Sequence, residues 1–305
     1  MEAVEMSYAL VLLNVLLFAL LAPFFEGVIR RVTARVQSRK GPPLLQPYFD
    51  VLKLLGKENL DSAGTWPFRI APVLALASVL AAVALLPLAG KPNALSARTD
   101  AISLVYLLTL GGVAVLLGAL SSRNTYALIG ASREMITMIL IEPILAMVLL
   151  LGVLEARSLD LAAVLAARAD AGWTVSTALM AAVSLLALQA FVARQPFDIP
   201  EAEVEILGGP MIEFGGPNLA LFKSYSMIKQ MFYAYLPVAV FVPLTGTGVF
   251  ALDLAAQIAA TGLVFVLIGL LASTNPRFRI DQAIRYYAVL VLVSFGAIGS
   301  ALCGY

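Results

Sequence analysis

The sequence predicts an all-α polytopic membrane protein of about eight transmembrane helices, with one amphipathic helix lying along the membrane interface. Three observations predict it. The 305 residues are 61% hydrophobic and only 13% charged, with a mean hydropathy of +0.94, whereas a soluble chain is about half apolar and a quarter charged. Eight apolar runs recur, each near the length of about 20 residues that crosses a hydrocarbon core of about 30 Å. Barrel strands would be shorter and would alternate polar with apolar positions, so the runs read as helices. The whole chain, 1–305, reads as one integral membrane domain.

The first run, residues 6–25, is expected to end near Pro23–Phe25. No Lys or Arg precedes it and no small-residue cleavage site follows, so it reads as a retained span. Glu26 then opens a basic segment in which Arg31, Arg35 and Arg39 recur at helical spacing, predicting one basic face. Gly41-Pro42-Pro43 interrupts that helix. Residues 44–58 resume a helical pattern but are too short and too charged to span, which predicts the interfacial helix. There Asp50 and Lys53 are close enough to pair. Spans 70–90 and 101–120 are almost purely apolar, and Gly111, Gly112 and Gly118 suit close helix packing in lipid.

Span 135–154 is entered by Arg133 and Glu134. Glu142 follows about 12 Å further along a helix and therefore inside the bilayer, beside Pro143. A carboxylate there costs roughly 2.5–3.5 kcal/mol unless it is protonated, paired or hydrated. It is either a neutral, hydrogen-bonded packing group or a proton carrier, and the second reading is preferred. Spans 174–193, 219–244, 254–272 and 284–303 complete the set. Lys229 falls deep within span 219–244, where it needs a carboxylate partner. Between the last two spans, Asp281 and Arg285 stand one helical turn apart and are expected to pair.

Net charge of +1 offers no basic field for nucleic acid. The lone Cys303 and the absence of His exclude a disulfide, a zinc site or an iron–sulfur cluster held by this chain, so metal chemistry is expected of partners only. Arginine and lysine crowd the odd-numbered loops, whereas the opposite loops hold only Lys91, Arg98, Arg157 and Arg168. This asymmetry predicts cytoplasmic odd-numbered loops and both termini outside the cytoplasmic membrane.

Between spans five and six, ARQPFDIPEAEVEILGGPMIEFGGP (193–217) concentrates Asp198, Glu201, Glu203, Glu205 and Glu213 among prolines and glycines. Acids at a membrane edge tend to mark ion routes. Asp198-Ile199-Pro200-Glu201 has the form of a helix-capping box, and Glu201 and Glu205 are expected on one helical face, where they would share protons. The two Gly-Gly-Pro steps predict irregular backbone around Glu213, tolerated only against protein or a wet cavity.

Four segments carry a family resemblance: QSRKGPPLLQPYFDVLKLLGKE (Gln37–Glu58), YALIGASRE (Tyr126–Glu134), PFDIPEAEVEILGGPMIEFGG (Pro196–Gly216) and PRFRIDQ (Pro276–Gln282). Across essentially its full length the chain resembles the membrane subunit, subunit 1 in respiratory complex I, that complex I shares with the group 4 membrane-bound [NiFe]-hydrogenases, formate hydrogenlyase included. Two features resemble the hydrogenase branch. Pro43 leads directly into Leu44-Leu45-Gln46, where complex I members insert a glycine-rich segment. Ser226 stands where they carry an acid, and Lys229 resembles the hydrogenase form.

The resemblance implies an ion-coupling subunit without a cofactor of its own. Its implied partners are hydrogenase large and small subunits and a ferredoxin-like subunit, bearing [4Fe-4S] clusters and a Ni–Fe centre, and an antiporter-like membrane neighbour. Glu142, Glu201, Glu205 and Glu213 are the expected proton carriers, supported by Glu203, Asp198 and Lys229. Arg133, Glu134, Asp281 and Arg279 are expected charge partners, and Arg35, Arg39, Asp50, Lys53 and Arg277 expected docking residues. The alternatives are a complex I subunit with a quinone near loop 1–2, a stand-alone secondary transporter, for which no inverted repeat is evident, and a plain membrane anchor.

Overall fold

The structure, a computed structural model, describes residues 2–170, 172–242, 244 and 248–304. They form eleven α-helices and, among the described residues, no sheet: α1 (Glu2–Val36), α2 (Gln46–Leu55), α3 (Trp66–Leu85), α4 (Ala101–Ser121), α5 (Thr125–Ala156), α6 (Leu161–Asp170), α7 (Val175–Phe191), α8 (Glu203–Ile206), α9 (Gly216–Phe241), α10 (Phe250–Thr274) and α11 (Ile280–Leu302). Each of the eight expected spans corresponds to one of these helices. Six are long and apolar enough to cross a membrane: those of α1, α3, α4, α5, α10 and α11. α7 is shorter, and α9 carries Asn218, Lys223, Ser224, Ser226, Lys229 and Gln230 among its apolar residues. Residue 243, inside the expected span 219–244, lies outside the described residues.

Three boundaries move in ways that matter. The first span, expected to end near Pro23–Phe25, and the basic helical segment after it are one helix: α1 runs through Pro23 to Val36. Phe18, Ala22, Phe25 and Ile29 bury one continuous face of α1, which packs against α9 and α10. That packing outweighs the single hydrogen bond a proline removes. Arg35 thus rides an exposed helical end, while Arg39 lies beyond it in the following turn. α5 starts ten residues earlier than expected, because the Asn124 side chain accepts the Tyr126 N–H at 2.8 Å and caps it. Arg133 and Glu134 therefore belong to its third turn rather than its entry. The interfacial helix is shorter than 44–58, closing at Gly56, and it exposes Phe49, Leu52 and Leu55.

α9 is the centre of the bundle. It touches α1, α2, α3, α6, α7 and α10, and its Phe222, Tyr225, Phe232 and Tyr235 are buried. α11 closes the far side against α5 and α7. Lys229 and Gln230 on α9 therefore face protein rather than lipid.

Candidate functional site

The loop between α7 and α9 is pinned to the bundle end from three directions. Arg277 donates from Nε to Asp198 Oδ1 at 2.7 Å and from Nη2 to Asp198 Oδ2 at 2.5 Å. The Phe278 N–H donates to Pro196 O at 3.0 Å, and the Phe197 ring packs among Phe278, Tyr286 and Tyr287. From α5, Arg133 Nη1 donates to Ile199 O at 3.3 Å and to Glu205 Oε2 at 2.7 Å. Gly209, at φ +54°, passes so close to Pro200 O that an added Cβ would lie 2.0 Å from it.

These contacts revise the expected capping box. α8 begins at Glu203 with Ala202 at its cap and no side-chain cap bond; Asp198 is held by Arg277 instead. Glu201 precedes the helix and Glu205 is exposed on it, so the two acids share no helical face. The prolines at 196 and 200 keep the chain irregular there. Glu201 is thereby turned inward while Glu205 is spent on Arg133.

Around Glu201 the structure assembles a buried group. Lys229 Nζ lies 4.0 Å from Glu134 Oε1, with side-chain exposures of 20% and 14%, and 5.7 Å from the Tyr225 ring centre. Burial first, and then the Glu134 carboxylate, push the Glu201 carboxyl above its usual range; Arg194 and Lys229 pull the other way. Glu142 lies two turns along α5 from Glu134.

Three cavities connect these groups. A vestibule of about 700 Å³ opens between α1, α2, α9 and the acid-rich loop, and Glu201, Ser226 and Gln230 form part of its wall. Glu201, Ser226 and Gln230 also line a pocket of about 20 Å³ together with Glu134, Tyr225 and Lys229. Glu134 and Lys229 line a further pocket of about 30 Å³ with Thr137, Glu142 and Tyr233. Each small pocket has room for a water or two. Glu201, Glu134–Lys229 and Glu142 thus form a file in which each step shares a cavity with the next.

The remaining expected site residues lie elsewhere. Glu213 accepts a hydrogen bond from Asn124 Nδ2 at 2.5 Å and lines none of these cavities. Glu203 and Arg39 are exposed on the vestibule wall. Arg279, its backbone N–H donating to Gln282 Oε1 at 3.1 Å, is exposed. Asp281 and Arg285 are both exposed and form no ion pair among the described residues. Asp50 pairs with Arg30 Nη1 at 2.8 Å rather than with Lys53, which is exposed. Burial raises the Asp50 carboxyl, but the bonds from Arg30 and Gln46 prevail and hold it below its usual range.

Sequence reasoning missed a second cluster. Glu26, buried in α1, accepts from Arg30 Nε at 3.1 Å and pairs with Arg194 Nη2. Gln230 completes it when its amide is oriented to donate to Glu26 Oε2 at 3.2 Å and to accept from Arg194 at 3.2 Å. The signal was an acid four residues before Arg30 in a segment read as helical, but only Arg31, Arg35 and Arg39 were followed along it. Among the described residues no group of three metal-ligating side chains is gathered.

The NADH dehydrogenase family profile matches residues 8–300. The chain belongs to this family, that of complex I subunit 1-like membrane proteins. Formate hydrogenlyase subunit 4 of Escherichia coli (strain K12) is 30% identical over 285 residues, covering 90% of this chain and 92% of that one. Hydrogenase-4 component C of the same organism is 33% identical over 277 residues, with 88% and 87% covered. An NADH-quinone oxidoreductase subunit of Brevibacillus brevis is 32% identical over 291 residues, with 91% and 86% covered. The fold matches a chain of the membrane-bound sulfane sulfur reductase, an archaeal respiratory membrane complex, with a TM-score of 0.85 at 28% identity. That match covers 96% of this chain and 98% of the other. The family's relatives are thus subunits of oxidoreductase complexes in membranes.

Proposed function

We propose that the chain is the membrane-anchoring, ion-coupling subunit of a membrane-bound [NiFe]-hydrogenase complex, linking electron transfer on the cytoplasmic side to proton (or sodium) movement. The observation that carries the coupling is the file of shared cavities from the vestibule through Glu201 and Glu134–Lys229 to Glu142. Carboxylates separated by a water or two hand on protons, and a buried lysine between them lets charge move without stranding an unpaired ion. Glu142 is only partly buried, at mid-helix in a span. A carboxylate there calls for a polar neighbour, which suits an antiporter-like subunit docked beside α4 and α5. Hydrogenase large and small subunits and a ferredoxin-like subunit, with their clusters and Ni–Fe centre, would dock at the α2 and acid-loop end. Arg35, Arg39, Lys53 and Arg279 are exposed there to meet them.

The test is purification of the intact complex through a tag on this chain, with metal analysis and reconstitution into vesicles. Nickel with excess iron supports the hydrogenase assignment; iron without nickel refutes it. Glu142→Gln is expected to leave assembly and hydrogen chemistry intact and to abolish proton movement, and normal pumping by that variant would refute the path. Exposed Cys303 reports sidedness: an impermeant maleimide should label it only from outside the cell. A second reading, subunit 1 of a quinone-reducing complex, is favoured by the size of the vestibule. The vestibule wall, however, includes Glu26, Arg30, Asp50, Arg194, Asp198 and Arg277, whereas sites for apolar ligands are mostly apolar.

A further inference from the structure

Glu26 lies outside the file just described, yet it is only 3% exposed and sits between two arginines. Arg30 is also paired with a second acid, and Arg194 shares the vestibule wall with one. Arg30 Nη1 donates to Asp50 of α2 at 2.8 Å, and Gln46 braces Asp50 at 3.0 Å. Arg194 lines the vestibule beside Glu201, and its charge favours the Glu201 carboxylate. An alternating series of charges results: Asp50, Arg30, Glu26, Arg194, Glu201. It runs from a surface helix to the acid at the head of the buried file. A single carboxylate cannot fully neutralise two guanidiniums, so Arg30 is divided between Glu26 and Asp50, and the charge of Arg194 reaches Glu201 across the vestibule wall.

We infer that Glu26 and Arg194 are positioning residues that set the charge on Glu201 according to how α2 is seated. The inference rests on the proton-path reading. While Asp50 holds Arg30, Glu26 is left to hold Arg194 back from Glu201. When α2 shifts and Asp50 lets go, Arg30 turns wholly to Glu26. Arg194 is then released toward Glu201, and the Glu201 proton leaves. The groups facing Glu26 are Arg30 on its own helix, Arg194 of the acid-rich loop and Gln230 of α9. Those facing Glu201 are Glu134 of α5, Tyr225 and Lys229 of α9, and Arg194 and Asp198 on its own loop, with Ser226 and Gln230 beside it. None of these belongs to α2, so α2 reaches Glu201 through the series.

The experiment follows the infrared band of a protonated carboxyl, identified by its loss in Glu201→Gln, against pH in the intact purified complex. Asp50→Asn and Glu26→Gln are expected to lower the midpoint by about one pH unit, and Arg194→Gln to raise it by about as much. Arg194→Lys, which keeps the charge, should restore the wild-type midpoint. Salt bridges with a purely structural role predict no shift, or shifts of one sign in all three variants, and either result overturns the inference. So does the absence of any such band. If Glu26→Gln fails to assemble, Asp50→Asn decides, since Asp50 is a third exposed. The midpoint is read without proton translocation. A Glu201→Gln complex that still pumps refutes the path, whereas blocked pumping with unmoved midpoints refutes only the series.

Discussion

Asp198→Asn separates two accounts of the acid-rich loop. If Asp198 were a helix cap, as its sequence context suggests, Asn would replace it at almost no cost, because the two are nearly equal caps. In the structure it is a clamp, taking two bonds from Arg277 at 2.7 and 2.5 Å, with side-chain exposures of 19% and 20%. The bond to Asp198 holds the Arg277 guanidinium above its usual pKa. Asn keeps one acceptor but loses the charge and the second bond, and it leaves a largely enclosed guanidinium underpaired. Charge-assisted bonds contribute about 1.5–3 kcal/mol, so about 2 kcal/mol of the loop's tether is lost. That corresponds to about a 30-fold rise in the open population. The Phe278 N–H, which donates to Pro196 O at 3.0 Å, is the local reporter. Hydrogen exchange of peptides containing Phe278 should quicken by about that factor. Arg277→Gln should give the same increase, and the double variant should add little. Exchange unchanged in Asp198→Asn would refute the clamp.

Three further outcomes are expected. Because Glu201 is held above the usual carboxylate range, its neutral form favours the fold. That stability is complete below the unfolded pKa and is lost as pH rises through the raised folded value. Glu201→Gln should therefore flatten the fall in thermal stability as pH rises above the usual carboxylate range, read by scanning fluorimetry of the purified complex. Lys229→Met leaves Glu134 without its partner and should cost about 3–5 kcal/mol, seen as lost assembly. Lys229→Met with Glu134→Gln should recover assembly while proton movement stays absent. Gly209→Ala puts a side chain at φ +54° and against Pro200 O, so it should destabilise the loop by more than about 1 kcal/mol, checked by proteolysis within 193–217.

Composition and the length of the apolar runs determined the membrane-spanning all-α class, since a bilayer admits few other solutions. The single residues Glu142 and Lys229 were legible for the same reason: a charge in an apolar run stands out. The order of the motifs determined the family. What they could not determine is which acid meets which cation, because pairing depends on where helices end and how they cross. α1 passes its own proline and α5 starts ten residues early, and those two shifts bring Glu26 beside Arg194 and Glu134 beside Lys229. Glu201, Glu205 and Glu213 look alike in the sequence; packing alone sends one inward, gives one to Arg133 and leaves one with Asn124. Side chains far apart in the chain share a charge only when the bundle closes around them, so the tertiary structure decided the site.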